Sequence, residues 1–263
     1  MTPDKNVGLG TKLVSYLWRN NLVYVFTIVC GTASLLCSLF DRGGRGQHRI
    51  ARLWSWLILR VAAGCHLAVE GLENVDFTRP QVFASNHLSY LDTPVIFLGI
   101  PVQFRIMANR ELFSVPFMGW HLARSGQIPV ERNDPRASLR SLLAASHTVK
   151  NGMPILVFPE GGRTHDGHLQ PFMGGAFLVA IKAGVSVVPV TIVGTYEAMP
   201  RVRWMIAPRT VTLVFGKPVS TEGYSSKQMD DLAAAVRQVI EETYYSRCVV
   251  GRPPAQTAVK SHA

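Results

Sequence analysis

The sequence predicts an α/β domain: a mixed, largely parallel sheet of about seven strands flanked by helices, behind an N-terminal two-helix membrane anchor. Two observations predict it. The 19 residues from Leu22 to Phe40 carry no charge, which as a helix is roughly 28 Å, enough to cross the hydrocarbon core of a bilayer. After about residue 66 the pattern changes to short apolar runs that alternate with amphipathic segments, the signature of strands joined by helices.

The anchor comes first. Arg19 precedes the apolar run, and Arg42, Arg45, Arg49 and Arg52 follow it, where basic side chains meet lipid headgroups. The run is long for a cleaved signal peptide and lacks a good small-x-small site. Three Lys/Arg before it and four after give almost no orientation bias. Gly43-Gly44-Arg45-Gly46 breaks the helix. The stretch Ile50 to Ala68 is apolar but holds Arg52, Arg60, His66, Trp54 and Trp56, a mixture that suits an interfacial helix. Residues 1–65 are therefore expected to anchor, 66–250 to form the catalytic domain, and 251–263 to be a disordered tail.

Within the domain the expected strands are His66 to Glu70, Gln81 to Ala84, Gln103 to Met107, Gln127 to Val130, Pro154 to Phe158, Ser186 to Val193 and Thr210 to Phe215. Asp134 followed by Pro135 reads as an N-cap and first helical residue, with Leu139, Leu142, Leu143, Ser146 and Val149 on one face and Gly152 past the end. Ser225 and Gln228 spell a capping box for a last helix, whose stripe is Met229, Leu232, Val236, Val239 and Ile240.

Composition narrows the partners. A net charge of +10 and a pI near 9.8 favour anionic ligands or surfaces. Nucleic acid is not expected, because the chain has no aromatic-interleaved basic repeat, zinc knuckle or RNP-like run. Cys30, Cys37, Cys65 and Cys248 show neither metal spacing nor a disulfide framework.

Two runs carry chemistry. In Ser85-Asn86-His87-Leu88-Ser89-Tyr90-Leu91-Asp92, His87 and Asp92 lie five apart, about 140° round a helix or on opposite faces of a strand. They meet only if the chain turns between them. A strand ending at Ala84 and Pro94 near a helix start supply that turn. Asp92 would then accept from His87 Nδ1 and leave Nε2 to take a proton. With 8 His and 8 Asp in 263 residues, chance alone gives about 0.24 such pairs, so the pair needs support. The second run, Phe158-Pro159-Glu160-Gly161-Gly162-Arg163-Thr164, follows a strand. It sets Glu160 and Arg163 on a glycine turn at the carboxyl end of that strand, where α/β sheets hold ligands. Arg163 offers a fork for phosphate, and the Gly161 and Gly162 N–H groups could join an anion nest.

Together these runs resemble the paired signatures of the glycerolipid acyltransferases. Asn86-His87-x-x-x-x-Asp92 is similar to the family's first motif, which holds a catalytic His–Asp pair. Gly126-Gln-Ile-Pro-Val-Glu131-Arg132 resembles the second, where Arg132 matches an arginine that helps bind the acceptor. Phe158-Pro-Glu-Gly-Gly-Arg163 resembles the third, whose Glu and Arg hold a glycerol-phosphate head, and Val188-Pro189-Val190 resembles the fourth. Ala108-Asn-Arg-Glu-Leu112 follows the stretch between the first two motifs. There Asn109 and Arg110 replace the usual lysine-bearing pair, and Arg110 becomes the candidate phosphate ligand. Gly162 stands where threonine is usual and Thr164 where serine is commoner.

The resemblance implies acyl transfer from acyl-CoA or acyl carrier protein to a lysophospholipid hydroxyl, with lysophosphatidic acid the favoured acceptor and another lysolipid, such as an ornithine lipid precursor, the alternative. It implies His87 and Asp92 as catalytic residues and Arg132, Glu160, Gly161, Arg163 and Arg110 as substrate-binding, with no metal and no cofactor beyond the thioester co-substrate. The expected place is the cytoplasmic face of the inner or plasma membrane, against anionic lipid. From a different class, His165, Asp166 and His168 suggest a metal-dependent phosphoester hydrolase; no second carboxylate-rich cluster accompanies them. A serine hydrolase lacks its Gly-x-Ser-x-Gly elbow.

Overall fold

All seven expected strands are present, each within about two residues of its expected ends. A computed structural model describes residues 9–115, 117–131, 134–200 and 205–253. The strands are β1 (His66–Glu70), β2 (Val82–Ser85), β3 (Arg105–Asn109), β4 (Ile128–Val130), β5 (Ile155–Val157), β6 (Val187–Val193) and β7 (Thr210–Phe215). They form one sheet in the order β1-β7-β6-β2-β5-β3-β4. The five from β6 to β4 run parallel. β7 joins β6 antiparallel and β1 pairs parallel to β7, so the last two are reversed.

The central strands are apolar throughout because both of their faces are covered. Phe83 and Leu156 point to one core, with α4 (Asp92–Gly99), and α5 (Met118–Arg124) lies between β3 and β4 in the chain. Val82, Ala84, Ile155 and Val157 point to the other, with α6 (Pro135–Lys150), α7 (Gly175–Ala183) and α9 (Met229–Tyr245). The crossover from β2 thus runs over one face and that from β5 over the other. Between the carboxyl ends of these neighbouring strands lies a topological switch point, where α/β sheets open a crevice.

Helix signals held better at the caps than along the faces. The Asp134 carboxylate accepts from Arg136 N and Ala137 N, and Pro135 opens α6. The buried arc of that helix centres on Ala145, Ser146 and Val149, while Leu139 and Leu143 are exposed. At 100° per residue those two leucines sit well round from Val149. The Ser225–Gln228 capping box forms, but it closes a 3₁₀ turn that leads into α9. Its buried stripe is Leu232, Ala233, Val236, Ile240 and Tyr244, with Met229 and Val239 at its margin.

The N-terminal segment is helical from Gly10 to Cys37 and is the one helix among the described residues long and apolar enough to cross a membrane. It comprises α1 (Leu9–Val14), a π turn and α2 (Asn20–Cys37). Only 11% of its most apolar window is buried, unlike the core helix of a soluble domain. The second helix has a docked face as well as an exposed one. α3 (Arg45–Trp56), continued by a π turn to Ala62, docks on the domain. Ile58, Leu59 and Ala63 enter the same core as α4. The Arg52 guanidinium donates to Phe97 O, Leu98 O and Ile100 O at 2.6–3.3 Å, capping carbonyls that α4 leaves open. Leu53, Trp56 and Val61 stay exposed on its outer side.

His48, on α3, is wedged between Phe97 and Phe104. Burial, then the nearby Arg52 and Arg105 charges, lower its pKa to about 4. In the unfolded chain this group protonates near pH 6.5. The stability it lends is full above that pH and is lost as pH falls toward 4, up to about 3 kcal/mol. His48→Phe should flatten the decline of the unfolding midpoint between roughly pH 6.5 and 4. An unchanged slope would place the acid sensitivity elsewhere.

The tail expected from Gly251 falls mainly in 254–263, outside the described residues.

Candidate active site

The His87 loop leaves the carboxyl end of β2 and turns back at once into α4, whose first residue is Asp92. That reversal brings the pair together: His87 Nδ1 lies 2.8 Å from Asp92 Oδ2. Oδ2 also accepts from Leu88 N at 2.6 Å and Ser89 N at 2.8 Å, so the loop that precedes the helix is wound about the carboxylate. Oδ1 accepts from Thr195 Oγ1 at 2.6 Å. Asp92 is fully buried and its oxygens act only as acceptors here. Nδ1 therefore carries the proton, and Nε2 of the 18% exposed ring presents its lone pair. Phe158 stacks on the imidazole at 4.0 Å and 17°, a second restraint on the ring.

The loop after β5 lies against the first. Gly161, at φ +72°, makes the tight turn in a region that favours glycine. Arg163 places its guanidinium carbon 3.7 Å above the Tyr90 ring, three residues from His87, and Thr164 N donates to His87 O. A Cβ on Gly162 would meet nothing within 4 Å, so the position does not require glycine for space at the Cβ.

Glu160 departs from the expected open ligand. Its Oε1 accepts from His87 N at 2.8 Å and its Oε2 from Gln170 N at 2.9 Å, and the residue is 7% exposed. Burial pushes its pKa up to about 8 against the pull of those two N–H donors. The carboxyl group braces the two loops against each other. Glu160→Ala should therefore lower turnover more than it raises the KM of the acceptor. A selective rise in acceptor KM would restore the ligand role.

Arg110 follows β3 and pairs with Glu131, after β4, at 3.5 Å; it is largely exposed at the same edge of the sheet. Arg132 lies outside the described residues. Among the described residues, no three of His, Cys, Asp and Glu group closely enough for a metal ion. Asp166 is instead tied to Thr164 Oγ1 and His168 N within its own loop. Sequence reasoning missed Thr195, Phe158 as a ring partner and Tyr90. The last two lie within runs already singled out; Thr195 carries no signal beyond following an apolar strand and a glycine.

Residues 66–193 match the Acyltransferase family model. The 1-acyl-sn-glycerol-3-phosphate acyltransferase of Pseudomonas aeruginosa is 34% identical over 191 residues, 72% of this chain and 72% of that one. The chain is a member of the 1-acyl-sn-glycerol-3-phosphate acyltransferase family. Another relative, the chloroplastic acyltransferase BAT2 of Brassica napus, is 34% identical over 225 residues; the match covers 84% of this chain but only 62% of the longer plant protein. The crystal structure of the lysophosphatidic acid acyltransferase PlsC from Thermotoga maritima superposes with a TM-score of 0.73 at 27% identity, over 88% of this chain and 94% of that one. The family match begins at the first residue of β1 and ends at the last of β6, and so takes in the switch point and both loops beside it.

Proposed function

We propose that the protein is a membrane-associated O-acyltransferase that moves a fatty acyl group from acyl-CoA or acyl carrier protein to the sn-2 hydroxyl of lysophosphatidic acid, giving phosphatidic acid. The observation that carries the reading is the His87–Asp92 pair, on a loop whose Tyr90 ring lies under the guanidinium of Arg163 from the glycine turn. His87 Nε2 removes the proton of the acceptor hydroxyl as its oxygen attacks the thioester carbonyl. Asp92 holds the tautomer and stabilises the imidazolium. The C–S bond breaks, and the departing thiolate takes the proton back from His87. Arg163 holds the phosphate, with Arg110 and Arg132 further cations for the acceptor, and Gly161 gives the turn its shape. The scheme needs no metal, so rates should survive chelation.

The membrane part of the reading rests on the apolar helix from Gly10 to Cys37 and on the exposed outer face of α3. Arg42, Arg45 and Arg49 then meet anionic headgroups at the cytoplasmic face, where the thioester donors reside. Since α3 is docked on α4, a deletion that keeps this contact ends before residue 42, although it removes Val23 and Phe26 from the edge of the same core. A protein lacking residues 1–40 should partition poorly to vesicles yet acylate short-chain, soluble acceptors. Full pelleting with neutral vesicles would assign the anchor to another surface.

An acyl-transfer assay with each thioester donor against a panel of lysolipids tests the function. Phosphatidic acid formation should dominate. Equal rates on lysolipids without a phosphate monoester would move the acceptor to another class.

A further inference from the structure

We infer that Thr195 is a positioning residue for the proton transfer, acting on His87 through Asp92. The inference deepens the general-base reading and rests on it. Thr195 lies 103 residues beyond Asp92, at the start of the short helix α8 (Thr195–Ala198). It is fully buried, and its hydroxyl donates to Asp92 Oδ1 at 2.6 Å. That is the oxygen His87 does not use, since Nδ1, Leu88 N and Ser89 N all converge on Oδ2. With only the Oδ2 contacts, the carboxylate could still pivot about that oxygen. A donor on Oδ1 fixes the plane of the group and, through it, the imidazole.

The surroundings hold Thr195 for this contact. Gly194 turns the chain out of β6 at φ +91°, and a Cβ there would lie 2.9 Å from Thr210 O, so only glycine makes this corner without strain. Asn86 exchanges two hydrogen bonds with Ile192, Asn86 Nδ2 to Ile192 O at 2.9 Å and Ile192 N to Asn86 Oδ1 at 2.8 Å. Ser89 Oγ donates to Met199 O at 2.7 Å. The His87 loop is thus clamped to the β6–α8 corner at both ends, and Thr195 is the member of that clamp that touches the catalytic carboxylate.

Thr195→Val keeps the shape and removes the donor. A hydrogen bond to a charged group corresponds to roughly a 10- to 150-fold change. The kcat of the full-length variant should fall at least about 10-fold, with both KM values near those of the unaltered protein and the unfolding midpoint lowered, since a buried carboxylate oxygen loses its donor. The acid limb of kcat/KM should move to higher pH, because a carboxylate with one donor fewer holds the imidazolium proton more strongly. Thr195→Ser should restore both. Thr195→Ala, which adds no atoms, is read in the same way should the valine variant not fold. Unaltered kcat and pH profile in the valine or alanine variant, or no recovery with serine, would overturn the inference. If His87→Ala is inactive in the same assay, that failure belongs to Thr195 alone. If His87→Ala retains turnover, the general-base reading itself has failed.

Discussion

His87→Ala should cost about 10²- to 10⁴-fold in turnover, the range that a positioned general base contributes, with acceptor and donor binding nearly unchanged. The loss falls on kcat because Nε2 is needed only as the hydroxyl proton leaves. The fold should tolerate the change. The ring is partly exposed, and the backbone bonds His87 N to Glu160 and Thr164 N to His87 O do not depend on it. Asp92→Asn should be comparably damaging for turnover and worse for stability. An amide in place of the carboxylate turns an NH₂ group toward donors on one side, either Thr195 Oγ1 or the trio at Oδ2, and a buried donor without an acceptor is costly. Near-normal turnover in the His87 variant would remove the base from the mechanism.

Arg163→Ala should raise the KM for lysophosphatidic acid by roughly 10- to 150-fold, the equivalent of about 1.5–3 kcal/mol for a hydrogen bond to a charged group, and leave that for the thioester little changed. Lysine should rescue only in part, because it restores the charge without the planar fork and stacks less well on Tyr90. Tyr90→Leu should weaken acceptor binding in the same direction but less, since an exposed cation–π contact contributes about 0.5–1 kcal/mol. Preference for a phosphate monoester over a lysolipid lacking it should shrink in parallel. Equal weakening of both substrates would make Arg163 a support of the loop, and the phosphate would then fall to Arg110 or Arg132.

The parts of the site within single runs of sequence were legible because local geometry constrains them. A five-residue spacing unsuited to a helix or strand demanded a turn, and a strand end, polar residues and Pro94 supplied one. Glu160 shows where such reading stops. A carboxylate on a tight turn can face solvent or the interior, and only the packing of the β2 and β5 loops decides that it faces His87 N. Thr195 was invisible for a related reason. Its contact depends on β6 lying beside β2, a neighbour relation that periodicity does not encode. α3 shows a second limit: Trp54, Trp56 and its arginines read as an interfacial helix, and nothing in that pattern revealed that Arg52 also supplies donors to the carbonyls at the end of α4.

The most direct test of the central claim is to mix the protein with acyl thioester alone and then add lysophosphatidic acid, following free thiol, acylated protein and phosphatidic acid. Direct attack predicts no thiol release and no covalent acyl-protein before the acceptor arrives, then equimolar thiol and phosphatidic acid, both slowed about 10²- to 10⁴-fold with His87→Ala. A burst of thiol without acceptor, with the acyl group recovered on a serine or cysteine of the protein, would contradict it.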